Sequence, residues 1–302
     1  MNNDDYRAGP EDPSRIFFAP VAATPRARLA NSLDTQWARL SPETLVVATA
    51  SSVWLYPHGS SDSDRFAQPM ADMSGSVAST QSLLDGAIAA AYQRYSYVIL
   101  PDLTLARWIW RLAGHYHLTC LTPTLMAEAA HRFASTHRSS LATWARQKAS
   151  REKDYNGAAL RDIQCLGYDA EAVISALHPA QADNLLNYLA LGVQSRNPID
   201  CVGYSYTIER IATGIGVEYI QLVEGLLPPN PAAASRPWLH GSVGIDCEDV
   251  QETVEMVAGL TAAERTCVAK ACYETALLCF NRSRQHIVSD FEIQLILKTL
   301  NS

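Results

Sequence analysis

At 302 residues, 48% hydrophobic and 18% charged, the chain is too apolar for a disordered polypeptide. No stretch approaches the roughly 20 uninterrupted apolar residues that a membrane helix needs. A net charge of -7, from 24 Lys+Arg against 31 Asp+Glu, argues against nucleic acid or an anionic lipid surface as the main partner.

The start, MNNDDYRAGPEDPSR, mixes acids with prolines and lacks the apolar core of a secretory signal. Pro10, Pro13, Pro20, Pro25, Pro42, Pro57 and Pro69 all fall in the first 80 residues, in irregular order. Between them the spacing predicts a short helix over 26–40 and an apolar extended stretch over 45–56, with a loop at 59–64. Residues 1–80 read as an extension that wraps or caps a domain. From there the text turns helical. Segments are predicted over 82–100, stopping before Pro101, and over 103–112. Another runs over 123–135, with Thr122 as N-cap and Pro123 at the first position. Further segments follow over 139–166, 169–177, 179–191, 200–227, 247–260, 261–281 and 289–300. Short joints and no β-alternation after residue 60 predict an all-α bundle over 81–302. Seven cysteines, an odd number without CxxC spacing, read as free buried thiols in a reducing, cytoplasmic compartment.

Bundles bury carboxylates only when a metal or a firm partner offsets the desolvation. Acids embedded in apolar helical text are therefore the candidate chemistry. Glu128 and His131, three apart in Leu125-Met126-Ala127-Glu128-Ala129-Ala130-His131, share a helix face. They are either the E-x-x-H pair of a carboxylate-bridged di-iron bundle or an exposed polar pair. Glu152 has Tyr155 three residues on, in a segment charged enough to be a solvated face. Glu209, in Tyr206-Thr207-Ile208-Glu209-Arg210, is either a metal ligand, a partner of Arg210 or an acceptor for a tyrosine. Asp246 and Asp249 fit a metal shell, and equally the first turn of a helix, where the dipole favours acids. His240 precedes Asp246 by six residues, off its face in a continuous helix, unless Gly241 and Gly244 bend it back.

These segments resemble the heme-oxygenase-like iron-dependent oxidases, a superfamily that includes thiaminase II and pyrroloquinoline-quinone synthase. The resemblance is carried by 149–168, ending Ala159-Leu160-Arg161-Asp162-Ile163-Gln164-Cys165-Leu166-Gly167-Tyr168, where di-iron members read E-x-x-H followed by D-L-x-x-L-G. It continues through 203–211, where the family places a helix-borne glutamate, and 238–257, where it has H-x-x-x-D-x-x-H. Over roughly residues 85–280 the resemblance implies a heme-oxygenase-like helical bundle of about seven or more helices around a cavity. It aligns Glu128, Glu152, Glu209 and Asp246 with the family's acids. Tyr155, Ser242 and Asp249 stand where its three histidines belong, leaving His131 and His240 as the nearest imidazoles.

The resemblance implies iron, in the di-iron members two, working with O2 on a small amino-acid-like or acyl substrate in specialised, natural-product metabolism. Glu128, Glu152, Glu209, Asp246 and Asp249 would hold the metal, helped by His131 or His240. Tyr155, Tyr204 and Tyr206 would position substrate or donate protons. An all-oxygen shell favours Mg, Ca or Mn over ferrous iron, so loss of the histidines predicts weak iron binding. Two other classes stay open. One is a metal-free enzyme on the same scaffold, with Cys201 or Cys247 as candidate groups. The other is a binding or partner protein that kept the fold, paired as a homodimer or with another protein.

Overall fold

The computed structural model of the chain describes residues 34–57, 66, 68–72, 75–95, 102–214, 217–226, 245–281 and 288–300. Strands β1 (Gln36–Ser41), β2 (Thr44–Thr49) and β3 (Ser52–Pro57) form an antiparallel sheet in the order β1-β2-β3. The short helix expected over 26–40 is thus a strand from Gln36 onward. Residues 26–33 and the loop expected at 59–64 lie outside the described residues. Alternation decides the strand: Gln36, Ala38 and Leu40 are buried while Trp37 and Arg39 point the other way. The register sets Trp37 opposite Val47 and Val47 opposite Trp54. That face is covered by Phe66, and the other face packs on the bundle. With both faces covered, β2 reads as an unbroken apolar run.

The helices are α1 (Val77–Tyr95), α2 (Leu105–Ser135), α3 (Ser139–Arg151), α4 (Tyr155–Cys165) after a 3-10 turn Glu152–Asp154, α5 (Ala170–Ala176) and α6 (Ala180–Gln194). They continue as α7 (Asp200–Ala212), α8 (Val217–Leu226), α9 (Ile245–Ala258), α10 (Ala262–Phe280) and α11 (Asp290–Leu300). Local chemistry fixes several starts. Asp169 accepts from the Ala172 amide to cap α5, and Thr261 with Glu264 makes a reciprocal capping box for α10.

Helix α2 corrects the sequence reading most. The segments expected at 103–112 and 123–135 are one helix of 31 residues with Pro123 inside it. Proline removes the amide that would bond the Thr119 carbonyl. Nearby hydroxyls add bonds in the same turns: Thr119 donates to His115 O at 2.9 Å and Thr122, buried, to Leu118 O at 2.6 Å. Packing by α3, α4 and α6 along its flanks holds the helix continuous. At about 1.5 Å per residue, α2 is long enough to serve two cores. Its first half, with Trp108, Ile109 and Leu112, packs with Ile163, Val173, Val223, Ile293 and Leu297. Its second half, with Met126 and Phe133, joins α1, α3, α6, α7, α9, α10 and the sheet.

Two glycines set close approaches. A Cβ on Gly86 of α1 would lie 2.6 Å from Val53 Cγ1, so the sheet seats on α1 there. A Cβ on Gly203 of α7 would lie 2.5 Å from Val268 O of α10. The thiols divide differently from the expectation of burial: Cys201 and Cys272 are buried, but Cys120 and Cys267 are exposed. Among the described residues no helix is long and apolar enough to cross a membrane.

Candidate functional site

The Leu141, Trp144, Ala145 and Lys148 face of α3 turns inward, so a lysine enters the core. Lys148 is 1% exposed. Its Nζ donates to Glu209 Oε1 of α7 at 2.6 Å and lies 3.2 Å from Asp249 Oδ2 of α9. Ser205, one turn before Glu209, donates to the same Oε1 at 3.0 Å. Arg151, the next turn of α3, ion-pairs with Asp249 and reaches Glu252 at 2.9 Å. Behind the cluster, Trp144 Nε1 donates to Thr253 Oγ1 at 3.1 Å, and Thr253 donates to the Asp249 carbonyl at 2.9 Å. Three helices are therefore bound through a ladder of two cations and three carboxylates that runs from the core to the surface. Burial pushes the Glu209 carboxyl above its ordinary range, and the Lys148 ammonium pulls it back. Glu209 Oε2 is buried and has no hydrogen-bond partner among the described residues.

A second buried polar group sits nearby on α7. Tyr206 is fully buried and donates to Asp85 Oδ1 of α1 at 2.8 Å. Asp85 also accepts from Arg210 at 2.9 and 3.1 Å, through both of its oxygens. Burial first, and then the Asp85 charge, hold the Tyr206 phenol well above its usual value. That hydroxyl is committed to tying α7 to α1. Tyr204 is buried too; burial raises its phenol, and the charge of Glu152 raises it further.

The structure brings together two of the acids expected as metal ligands, Glu209 and Asp249. It places Glu128 elsewhere: its side chain is 43% exposed and is held by Arg132 one turn on, with Nη2 at 2.8 Å. His131 on the same helix is exposed. The E-x-x-H spacing here marks a solvated face. Glu152 opens the 3-10 turn, half-buried, one turn beyond Lys148. Tyr155 begins α4 and Asp246 lies in the first turn of α9, but their side chains, with all of His240 and Ser242, lie outside the described residues.

Among the described residues no three His, Cys, Asp or Glu side chains converge to hold a metal ion. The described residues do not fit a di-iron centre. Where Glu209 and Asp249 meet, the positive charge between them is the Lys148 ammonium. Lys148, Arg151 and Asp85 are the residues the sequence reading passed over. Asp85 carries the same signal as Glu209, a lone acid in apolar text, Leu83-Leu84-Asp85-Gly86-Ala87-Ile88. Lys148 carries one as well, a cation in register with Leu141 and Ala145 on an apolar helix face.

Comparison with known proteins bears on this arrangement at the level of the fold. A crystal structure of a domain of unknown function with a heme oxygenase-like fold, from Shewanella denitrificans OS217, superposes with a TM-score of 0.52. It is 19% identical, and the match covers 74% of this chain and 90% of that one. The fold is heme-oxygenase-like. No family model and no curated protein matches the sequence. The small N-terminal sheet is laid on α1.

Proposed function

We propose that this chain is a metal-independent protein on the heme-oxygenase-like scaffold, one that has kept the bundle and replaced the metal centre with an internal ion cluster. The observation that carries the reading is the buried Lys148 ammonium, 2.6 Å from Glu209 and 3.2 Å from Asp249. A fixed ammonium between two carboxylates supplies the charge compensation that a divalent cation would supply, without open coordination positions for oxygen. The role that follows is binding: the scaffold holds a small molecule or a protein partner. The departures at Tyr155, Ser242 and Asp249 support the same reading, since neutral nitrogen donors are what favour ferrous iron over harder cations.

A second reading is the oxidase that the sequence resemblance implies, using iron and O2 on a small amino-acid-like or acyl substrate. It is favoured by one feature, the buried Glu209 Oε2, an acceptor left open beside a second carboxylate. It requires Lys148 to leave the pair. Elemental analysis of protein purified without chelator, followed by ferrous addition and oxygen under absorbance, separates the two. The metal-independent reading expects no stoichiometric iron and no new absorbance band. Copurification with one or two tightly held irons would overturn it.

A further inference from the structure

Helix α11 has two faces of opposite character. Ile293 and Leu297 are buried in the second core, and Asp290 fastens the helix to α2 through Arg107 at 2.5 Å and Thr104 at 2.7 Å. On the far side Phe291 is 73% exposed and Leu295 is 54% exposed. These positions are one turn apart, and Lys298, also exposed, continues the same stripe one turn further on. A ring and a branched aliphatic side chain left in water together are a recognition feature more than a scatter of single apolar residues.

We propose that this stripe packs on the same stripe of a second copy of the chain, the two α11 helices running antiparallel about a two-fold axis. The charges along the helix select this occupant and this direction. Acids stand at its start, Asp290 and Glu292, and its cation, Lys298, stands in the last turn. Antiparallel pairing centred near Leu295 sets Lys298 of one copy against Phe291 and Glu292 of the other, and symmetry makes that contact twice. The lysine stem covers the ring while its ammonium meets the carboxylate. Parallel pairing would set acid against acid and lysine against lysine. Glu292 keeps its charge in this role, because its carboxylate accepts from the Ser289 amide and hydroxyl at 2.8 and 2.6 Å. One helix of about three turns presents well under the ~800 Å² per partner of a standard interface. The dimer is therefore weak and concentration-dependent, with a Kd in the micromolar range.

Sedimentation velocity of the full chain from about 1 to about 300 micromolar should show mass moving from one chain toward two. Phe291→Glu and Leu295→Glu, both at exposed positions, should each raise the Kd at least about tenfold, with the helical circular dichroism and Tm unchanged. Lys298→Glu should raise it about three- to tenfold at low salt and less at high salt. A wild-type chain that stays monomeric across the range overturns the proposal. So does a dimer whose Kd is unmoved by Phe291→Glu, since the copies would then meet through another face.

Discussion

Lys148 of α3 and Glu209 of α7 meet head to head inside the bundle, Nζ to Oε1 at 2.6 Å, across 61 residues of sequence. Neither can be removed quietly. A buried ion pair contributes little net stability against an apolar pair of the same shape, but removing one partner leaves the other charge stranded. Lys148→Met should therefore cost about 3–5 kcal/mol in urea unfolding. Lys148→Met combined with Glu209→Leu should recover a large part of the loss, which a double-mutant cycle reads directly. The loss in Lys148→Met should also shrink at acid pH. Burial already raises the Glu209 carboxyl, and losing the ammonium raises it further. A raised carboxyl favours the fold at low pH and loses that contribution as pH rises through its folded value.

Tyr206 and Asp85 give a graded test on the other side of α7. Tyr206→Phe removes one donor while Asp85 keeps both bonds from Arg210, so a cost of about 1 kcal/mol is expected. Asp85→Ala removes the carboxylate shared by the Tyr206 hydroxyl and the Arg210 guanidinium, which keeps Thr213 Oγ1 at 3.2 Å, and should cost about 3 kcal/mol or more. Equal costs in chemical denaturation would show that the phenol, and not the ion pair, holds α1 to α7.

How much of this was legible beforehand depended on the range of the interaction. Caps are local, so Asp169 and Thr261 announced the starts of α5 and α10 three residues ahead of the amide or carboxyl that answers them. Pro123 misled because its usual meaning, a helix start, is also local, whereas α3, α4 and α6 packing along α2 is not. Strand β1 was missed for a similar reason: six residues are too few for its period to declare itself, and its partner β2 is buried on both faces. In the site, Glu209 was visible as an acid in apolar text. Its counter-ion was not, because no spacing rule ties residue 148 to residue 209. The acids Glu209 and Asp249 do meet, and the charge between them is the ammonium of Lys148.

Gly203 marks the tightest helix crossing. Gly203→Ala would bring the new methyl within 2.6 Å of Ala271 Cβ and 2.9 Å of Cys272 N, as well as against Val268 O. Backbone atoms cannot swing away, so α7 and α10 must separate. Overpacking of this kind costs typically about 1–3 kcal/mol and here should reach the upper end. A lowered Tm with unchanged helical content is the expected result.

His115 should make stability fall with acid. Burial alone pushes its imidazole down to about 3. The unfolded chain takes up that proton near pH 6.5, and the folded chain does not until about 3. The contribution is thus complete above 6.5 and is lost as pH falls toward 3, at a limiting slope of about 1.4 kcal/mol per pH unit. Carboxylates add their own slope below pH 5, so the informative quantity is a difference. Between about pH 6 and 4, His115→Leu should show a flatter decline than wild type, by up to one proton.

Glu128 supplies the sharpest contrast with the acids of the cluster. If it belonged to a common interior site, Glu128→Gln would disturb the fold as much as Glu209→Gln. Its place in the structure predicts otherwise. The carboxylate is 43% exposed and pairs with Arg132, itself 39% exposed, across one turn of α2. Exposed i,i+4 pairs contribute about 0.3–0.5 kcal/mol, and salt screens them. Glu128→Gln should accordingly fall within about 0.5 kcal/mol of wild type at moderate salt. Glu209→Gln keeps an acceptor oxygen but removes the carboxylate charge facing Lys148, leaving Asp249, which Arg151 already engages, to balance the ammonium. A cost of about 2 kcal/mol or more is expected there. Paired urea titrations of the two variants decide the matter. Equal and large losses would return Glu128 to the interior site, and a silent Glu128→Gln beside a damaging Glu209→Gln fixes the cluster on α3, α7 and α9.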